Sequence, residues 1–337
     1  MGIKDLFNMA REQNLLDLAR FMRDWRSFIR FHFLFAAVES GLLNALGEPR
    51  SREDLIRYLE VTRPELLDAL LDVGLALGEV AYQKGLYRVK GKYARAMMGG
   101  QADVLSALVQ ANVTYYSAAY REYGDRLRGA ALGNYLEDIG SVVARFSRIV
   151  EPGIRRFARN TVEGKGPLRL LEVGCGSGVY LRIVAQTNPH ATGIGMDLDR
   201  AVVDQAQQNL RQWGISDRFQ VVAGDIRHPP AEVKGSFALI TLYNLLYYFP
   251  EDERVNLFRT LRSKLSPNGS LVIVSSFRGQ GRDLFVANLN LATSSIAGCT
   301  PLPNLDETKA QLRAGGFSTI EKSKLMPQSS LYGIVAQ

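Results

Sequence analysis

From Leu168 to the C-terminus, short apolar runs alternate with stretches of helical periodicity. Seven runs have strand length and flanks: "LRLLEV", "ATGIGMD", "FQVVAG", "SFALITL", "SLVIVSS", "FSTIEK" and "LYGIVAQ". Strand and helix in alternation predict an α/β fold with helices packed on a mostly parallel sheet. The last two runs break that rule. Only "SKLMPQSS" separates them, too little for a parallel crossover, so they are expected to pair antiparallel.

The first hundred residues read differently. Apolar positions recur at helical spacing through "LLDLARFMRDWRSFIRFHFLFAAVESGLLNAL", and turns fall at Gly41 and "GEPRS". "SREDLIRYL" has a helix start, with Ser51 as N-cap and Asp54 in the first turn. In "TRPELLDALLDVGLAL", Thr62 is the expected cap and Pro64 takes a first-turn position. Two short β-prone runs then meet at Lys84-Gly85. Three helices followed by a hairpin describe a winged helix. The predicted boundaries are 1–101 for this helical domain, 102–162 for a helical bridge able to wall off a pocket, and 163–337 for the α/β domain.

Composition narrows the class. A 46% hydrophobic and 22% charged chain of 337 residues can bury a full core, which argues against disorder. "FHFLFAAV" is too short to span a bilayer, and the N-terminus is too charged for a signal peptide. With only Cys175 and Cys299, a reduced cytoplasmic protein without disulfides, metal or stable membrane insertion is expected. The net charge of +7 permits an acidic partner without requiring one. Arg20, Arg23, Arg26 and Arg30 share one helix face, read as a solvated face rather than an anion site.

Candidate chemistry begins at "LLEVGCGSG", residues 170–178. An apolar strand, three glycines and a following helix make a turn where backbone can approach a ligand and free N–H groups of the helix start point at it. A glycine loop alone is weak evidence, so the next strand ends matter. "GIGMDLD" places Asp197 where a carboxylate accepts from ribose hydroxyls. "VVAGDI" places Asp225 where it can accept from an adenine amino group, with Ile226 packing on the ring. The fourth strand ends in "ITLYNLLYYF". Successive strand ends thus supply polar groups along one sheet edge.

Together with "LYNLLYYFPEDERVNLFRTLRSKLSPNGSLVI" and the closing hairpin, these motifs resemble class I S-adenosylmethionine-dependent methyltransferases over about residues 168–337. "SREDLIRYLEVTRPELLDALLDVGLALGEVAYQKGLYRV" is similar to the winged-helix dimerisation domain of small-molecule O-methyltransferases. The resemblance implies a Rossmann-like seven-stranded sheet with an antiparallel last strand, S-adenosyl-L-methionine as cofactor, and a homodimer formed through the N-terminal domain. It implies that Glu172, Gly174, Cys175, Gly176 and Gly178 hold the methionine end, with Glu172 near the ammonium. Asp197 and Leu198 would then meet the ribose, Asp225 and Ile226 the adenine, and Tyr243 and Asn244 the far wall.

One departure changes the implied mechanism. Plant-like relatives carry a catalytic histidine in a motif resembling "LHDW" after the fourth strand, and here Tyr247 stands in its place. The three histidines, His32, His190 and His228, lie elsewhere, where surface, rim or packing roles are expected. A phenol near its ordinary pKa of ~10 is a poor general base at neutral pH. In-line displacement onto an already nucleophilic acceptor, oriented by Tyr247, is the expectation. Tyr116, Tyr120, Arg148, Phe285 and Leu289 join Tyr247 as expected contacts to a hydrophobic or aromatic small molecule of specialised metabolism. The alternatives are carbon or nitrogen methylation and a non-methylating reaction on the same scaffold. A DNA-reading winged helix is disfavoured: "PELLDALLDVGLAL" carries Glu65, Asp68 and Asp72 and no arginine, so it would repel phosphate. No nucleic-acid partner is expected.

Overall fold

The structure is a computed structural model that describes residues 15–134, 142, 143 and 145–337. The chain divides into two compact units, Met1–Arg121 with Glu137–Arg148, and Glu122–Leu136 with Ile149–Gln337. Of the bridge expected over 102–162, residues 135–141 and 144 lie outside the described residues.

The first unit opens with helix α1, Leu15–Glu39, followed by α2 (Leu42–Ala45), α3 (Arg52–Tyr58) and α4 (Pro64–Leu77). Strands β1 (Val80–Gln83) and β2 (Leu86–Val89) then pair antiparallel. Lys84 and Gly85 both take positive φ, 52° and 79°, the backbone of a tight hairpin turn. Ser51 caps α3 as its sequence predicts, its side chain accepting from Asp54 N at 3.1 Å. At α4 the expectation of Thr62 fails. Arg63 is the N-cap and makes no side-chain cap bond, because Pro64 fixes the first helical position and leaves Thr62 one residue too early. Phe33, Leu34, Leu42, Leu55, Leu71 and Val80 form this unit's core. Beside it, buried Glu79 accepts from Arg30 Nε and from Ala94 N, each at 3.0 Å.

The second unit holds a seven-stranded sheet in the order β5-β4-β3-β6-β7-β9-β8. Its strands are β3 (Arg169–Val173), β4 (Thr192–Asp197), β5 (Phe219–Ala223), β6 (Phe237–Tyr243), β7 (Leu265–Ser276), β8 (Ile320–Lys324) and β9 (Leu331–Ala336). The first five pair in parallel, and β9 runs antiparallel to both β7 and β8. Alternation along the strands feeds two cores. Leu170, Leu239, Val272 and Val274 face the helices Glu151–Asn160, Val179–Thr187 and Arg200–Gln212. Leu171, Ile240, Leu242 and Ile273 face Arg254–Lys264 and Leu305–Ala314. Burial on both faces explains why these strands read as continuous apolar runs. Chain order reverses between β3 and β6, the point at which open α/β sheets bind ligands.

Candidate active site

The turn after β3 is built from left-handed glycines, Gly174, Gly176 and Gly178, with φ of 67°, 53° and 79°. At Gly174 an added Cβ would come within 2.6 Å of Leu245 Cδ1, so the Leu245 side chain would have to shift. Gly174 N and Cys175 N both donate to Met196 O, at 2.7 and 3.0 Å, so the turn is tied to β4. Asp197, at the end of β4, closes the same loop. Its Oδ2 accepts from Gly176 N at 2.9 Å and its Oδ1 from Asp199 N at 3.2 Å.

A cleft of about 480 Å³ opens along the carboxyl ends of these strands. Val173 and Gly174 from β3, Met196, Asp197 and Leu198 from β4, and Gly224, Asp225 and Ile226 after β5 line it. Tyr243 at the end of β6 and Asn244 and Leu245 after it also line the cleft, with Asn244 held in a left-handed conformation at φ 52° while its N–H donates to Val274 O at 2.7 Å. A non-glycine residue in that region stores strain, which persists where a site demands it. No histidine lines the cleft; His190 and His228 are exposed and His32 belongs to α1.

Charge in the cleft is anionic and organised. Asp225 accepts from Arg227 N at 2.9 Å and Arg227 Nε at 2.8 Å. Burial pushes the Asp225 carboxyl up, but these bonds outweigh it and hold its pKa below the usual carboxylate range. Glu172, one residue inside β3, is 1% exposed, and its Oε1 has no hydrogen-bond partner. Burial, then the neighbouring Asp197 charge, raise its pKa well above the ordinary value. An unpaired buried carboxyl is costly, and a cationic group of a ligand would satisfy it.

Residues 170–269 match a family model described as a methyltransferase domain. Demethylspheroidene O-methyltransferase of Rhodobacter capsulatus is 23% identical over 89% of this chain and 77% of its own length. The 3-hydroxy-5-methyl-1-naphthoate 3-O-methyltransferase of Streptomyces sahachiroi is 25% identical over 72% of each. Among solved structures, mitomycin 7-O-methyltransferase MmcR superposes with a TM-score of 0.76, covering 99% of both chains at 15% identity. Residues 170–269 are a methyltransferase domain, and the enzyme is S-adenosylmethionine-dependent.

The methyltransferase places its other predicted site residues unevenly. Cys175 is buried behind the glycine turn, against the space left by Gly195, and Gly178 starts the helix Val179–Thr187. Tyr247 does not line the cleft; Tyr248 does. Both belong to a short 3-10 turn, Leu246–Tyr248, their rings 4.6 Å apart. Burial and Cys299 raise the Tyr248 pKa, and a hydrogen bond from Tyr247 opposes that rise. The Tyr247 carbonyl accepts from Thr300 N and Oγ1, at 2.8 and 2.9 Å, and buried Arg254 joins Phe249 O to Thr300 Oγ1 at 3.1 and 3.0 Å. Phe249 and Gly298 also line the cleft. Sequence reasoning named neither Arg227, Tyr248 nor Gly298. Phe285 and Leu289 lie on helix Leu284–Ser294, outside the cleft lining.

Three expected substrate contacts belong to the first unit. Tyr116 is buried, its hydroxyl pKa pushed up to about 12 by burial, and its ring meets Tyr115 edge-on at 5.0 Å. Tyr120 is exposed. Arg148 and Arg145 both pair with Asp103, the latter at 2.6 Å.

Proposed function

We propose that the enzyme methylates a hydroxyl of a hydrophobic or aromatic small molecule in specialised metabolism, by in-line displacement without a histidine base. The observation that carries this reading is a cleft whose lining combines adenosine-type partners, Asp197, Asp225 and Ile226, with aromatic and aliphatic walls and no histidine. The relatives named for O-methylation of a naphthoate and of demethylspheroidene support the acceptor class.

In this reading Asp197 and Leu198 meet the ribose, Asp225 and Ile226 the adenine, Glu172 and the glycine backbone the amino-acid end, and Tyr243 and Asn244 the remaining wall. Bound S-adenosylmethionine supplies a methyl group on a sulfonium, an electrophile that needs no activation by the protein. The chain's task is orientation and water exclusion. Tyr247 orients the acceptor, directly or through the Tyr248 hydroxyl that faces the cleft; as phenols, both are hydrogen-bond partners rather than bases. Tyr116, Tyr120, Arg148, Phe285 and Leu289 are read as acceptor contacts. The first unit is read as the dimerisation module, since Leu18, Phe21, Met22, Trp25 and Phe28 form an exposed apolar stripe on α1. No helix among the described residues is long and apolar enough to cross a membrane.

Incubation with methyl-labelled S-adenosylmethionine and a cell extract tests the reading. Label in a small-molecule fraction, located on oxygen by mass spectrometry, is the expected result. Label on carbon, nitrogen, RNA or protein overturns the acceptor class, and light scattering that finds only a monomer overturns the dimer.

A further inference from the structure

Among the described residues, Glu172 Oε1, Thr241 Oγ1 and Tyr243 Oη are buried side-chain oxygens without a hydrogen-bond partner. They are neighbours. Glu172 of β3 pairs in register with Thr241 of β6, and Tyr243 lies two residues further along the same face. Their exposures are 1%, 1% and 7%, and Tyr243 also lines the cleft. Leaving one buried polar atom unpaired is costly, and three side by side on adjacent strands outline the shape of a missing donor-rich group.

The surroundings fix its charge. Facing this cluster are Asp197 from β4, Cys175 from the glycine turn and Tyr180 from the helix Val179–Thr187, whose ring stands 4.4 Å from that of Tyr243. Behind Tyr180 lie Glu151 and Arg155, and Arg155 is committed to Glu151 at 2.6 Å. The cluster's own neighbours are therefore acids and neutral groups. A carboxylate in such a place, with no cation and with another carboxylate nearby, binds a proton instead. Burial also pushes up the Cys175 thiol and the Tyr180 and Tyr243 hydroxyls, so these stay protonated. Of these protonated groups the Glu172 carboxyl is, by its chemistry, the strongest acid.

We propose that Thr241 and Tyr243 complete, with Glu172, a three-oxygen receptor for an alkylammonium group, and that filling it expels the Glu172 proton. The inference rests on the reading that the amino-acid end of the cofactor lies at Glu172. On binding, the neutral carboxyl loses its proton to solvent and the resulting carboxylate pairs with the incoming ammonium; no other bond forms or breaks. Thr241 and Tyr243 act as positioning residues. Thr241 accepts an ammonium N–H, and Tyr243 donates to the carboxylate. One charge pair replaces a neutral carboxyl, so affinity rises with pH up to the raised carboxyl pKa and is flat above it.

The test is calorimetric titration of S-adenosylhomocysteine, which carries the ammonium but no methyl to transfer, in buffers of different ionisation enthalpy. Net proton release on binding is expected, with none in Glu172→Gln. Tyr243→Phe and Thr241→Val should each weaken S-adenosylhomocysteine severalfold while leaving 5′-methylthioadenosine, which lacks the ammonium, unchanged. Tight binding without proton release overturns the inference alone, as does equal weakening of both ligands in the two variants. Failure of the wild-type protein to bind either ligand overturns the cofactor reading, and the inference with it.

Discussion

Asp197 carries two duties that one substitution can separate. Its carboxylate accepts from Gly176 N at 2.9 Å and from Asp199 N at 3.2 Å, holding the glycine turn, and it lines the cleft as the proposed ribose partner. Asp197→Ala removes both. Two backbone donors losing a partly exposed acceptor cost about 1–3 kcal/mol of stability in all. That corresponds to roughly 2–4 °C in Tm for each kcal/mol in a domain of this size. Loss of the ribose bonds costs a further ~1–3 kcal/mol in binding, or about 5- to 150-fold in Kd. Asp197→Asn keeps one acceptor oxygen for the turn but loses the charge and half the accepting capacity. It should recover most of the Tm and little of the affinity. Calorimetry with S-adenosylhomocysteine beside a thermal melt reads both quantities. An unchanged Kd in a folded Asp197→Ala protein would refute the ribose role, and full recovery of affinity in Asp197→Asn would show that only the turn mattered.

Other substitutions probe other links. Gly174→Ala and Gly176→Ala each impose about 1–2 kcal/mol of left-handed backbone strain, but only Gly174 has Leu245 Cδ1 at 2.6 Å from the added carbon. Chemical denaturation should therefore find Gly174→Ala the more destabilised, and equal losses would remove the steric argument. Glu79→Ala strands Arg30 and the Ala94 N–H inside the first unit and should cost about 3–5 kcal/mol; a loss under ~1 kcal/mol in urea unfolding would contradict the burial of that pair. Tyr248→Phe should raise the acceptor KM more than Tyr247→Phe does, because Tyr248 lines the cleft; the reverse order in steady-state kinetics would give Tyr247 the direct contact. The Glu172 carboxyl, with its pKa raised in the folded state, stabilises the ligand-free fold at low pH, and that contribution is lost as pH rises through the raised value. Glu172→Gln should accordingly melt higher than wild type at neutral pH without ligand, and a lower Tm would show that the carboxyl is ionised and satisfied.

What the sequence determined by itself was the backbone. Period-two and continuous apolar runs place all seven strands, because burial on one or two faces leaves that mark locally. The eight residues of "SKLMPQSS" force the antiparallel ending by chain length alone, as observed between β8 and β9. Strand-end position likewise brings Gly174, Asp197, Asp225, Ile226, Tyr243 and Asn244 to one cleft, since a parallel sheet gathers its carboxyl ends on one edge. Side-chain direction and pairing past those ends were decided only by the tertiary structure. Tyr248 rather than Tyr247 meets the cleft because the 3-10 turn is clamped through Thr300, 53 residues along the chain from the Tyr247 carbonyl it binds. Arg227 holds Asp225 through a loop whose conformation no periodicity encodes. The isolation of Glu172 is a property of its neighbours on β4, on β6 and in the helix after the glycine turn, none adjacent to it in sequence. Local pattern fixes which residues reach the site, and packing between distant segments fixes what charge and which hydrogen bonds they hold there.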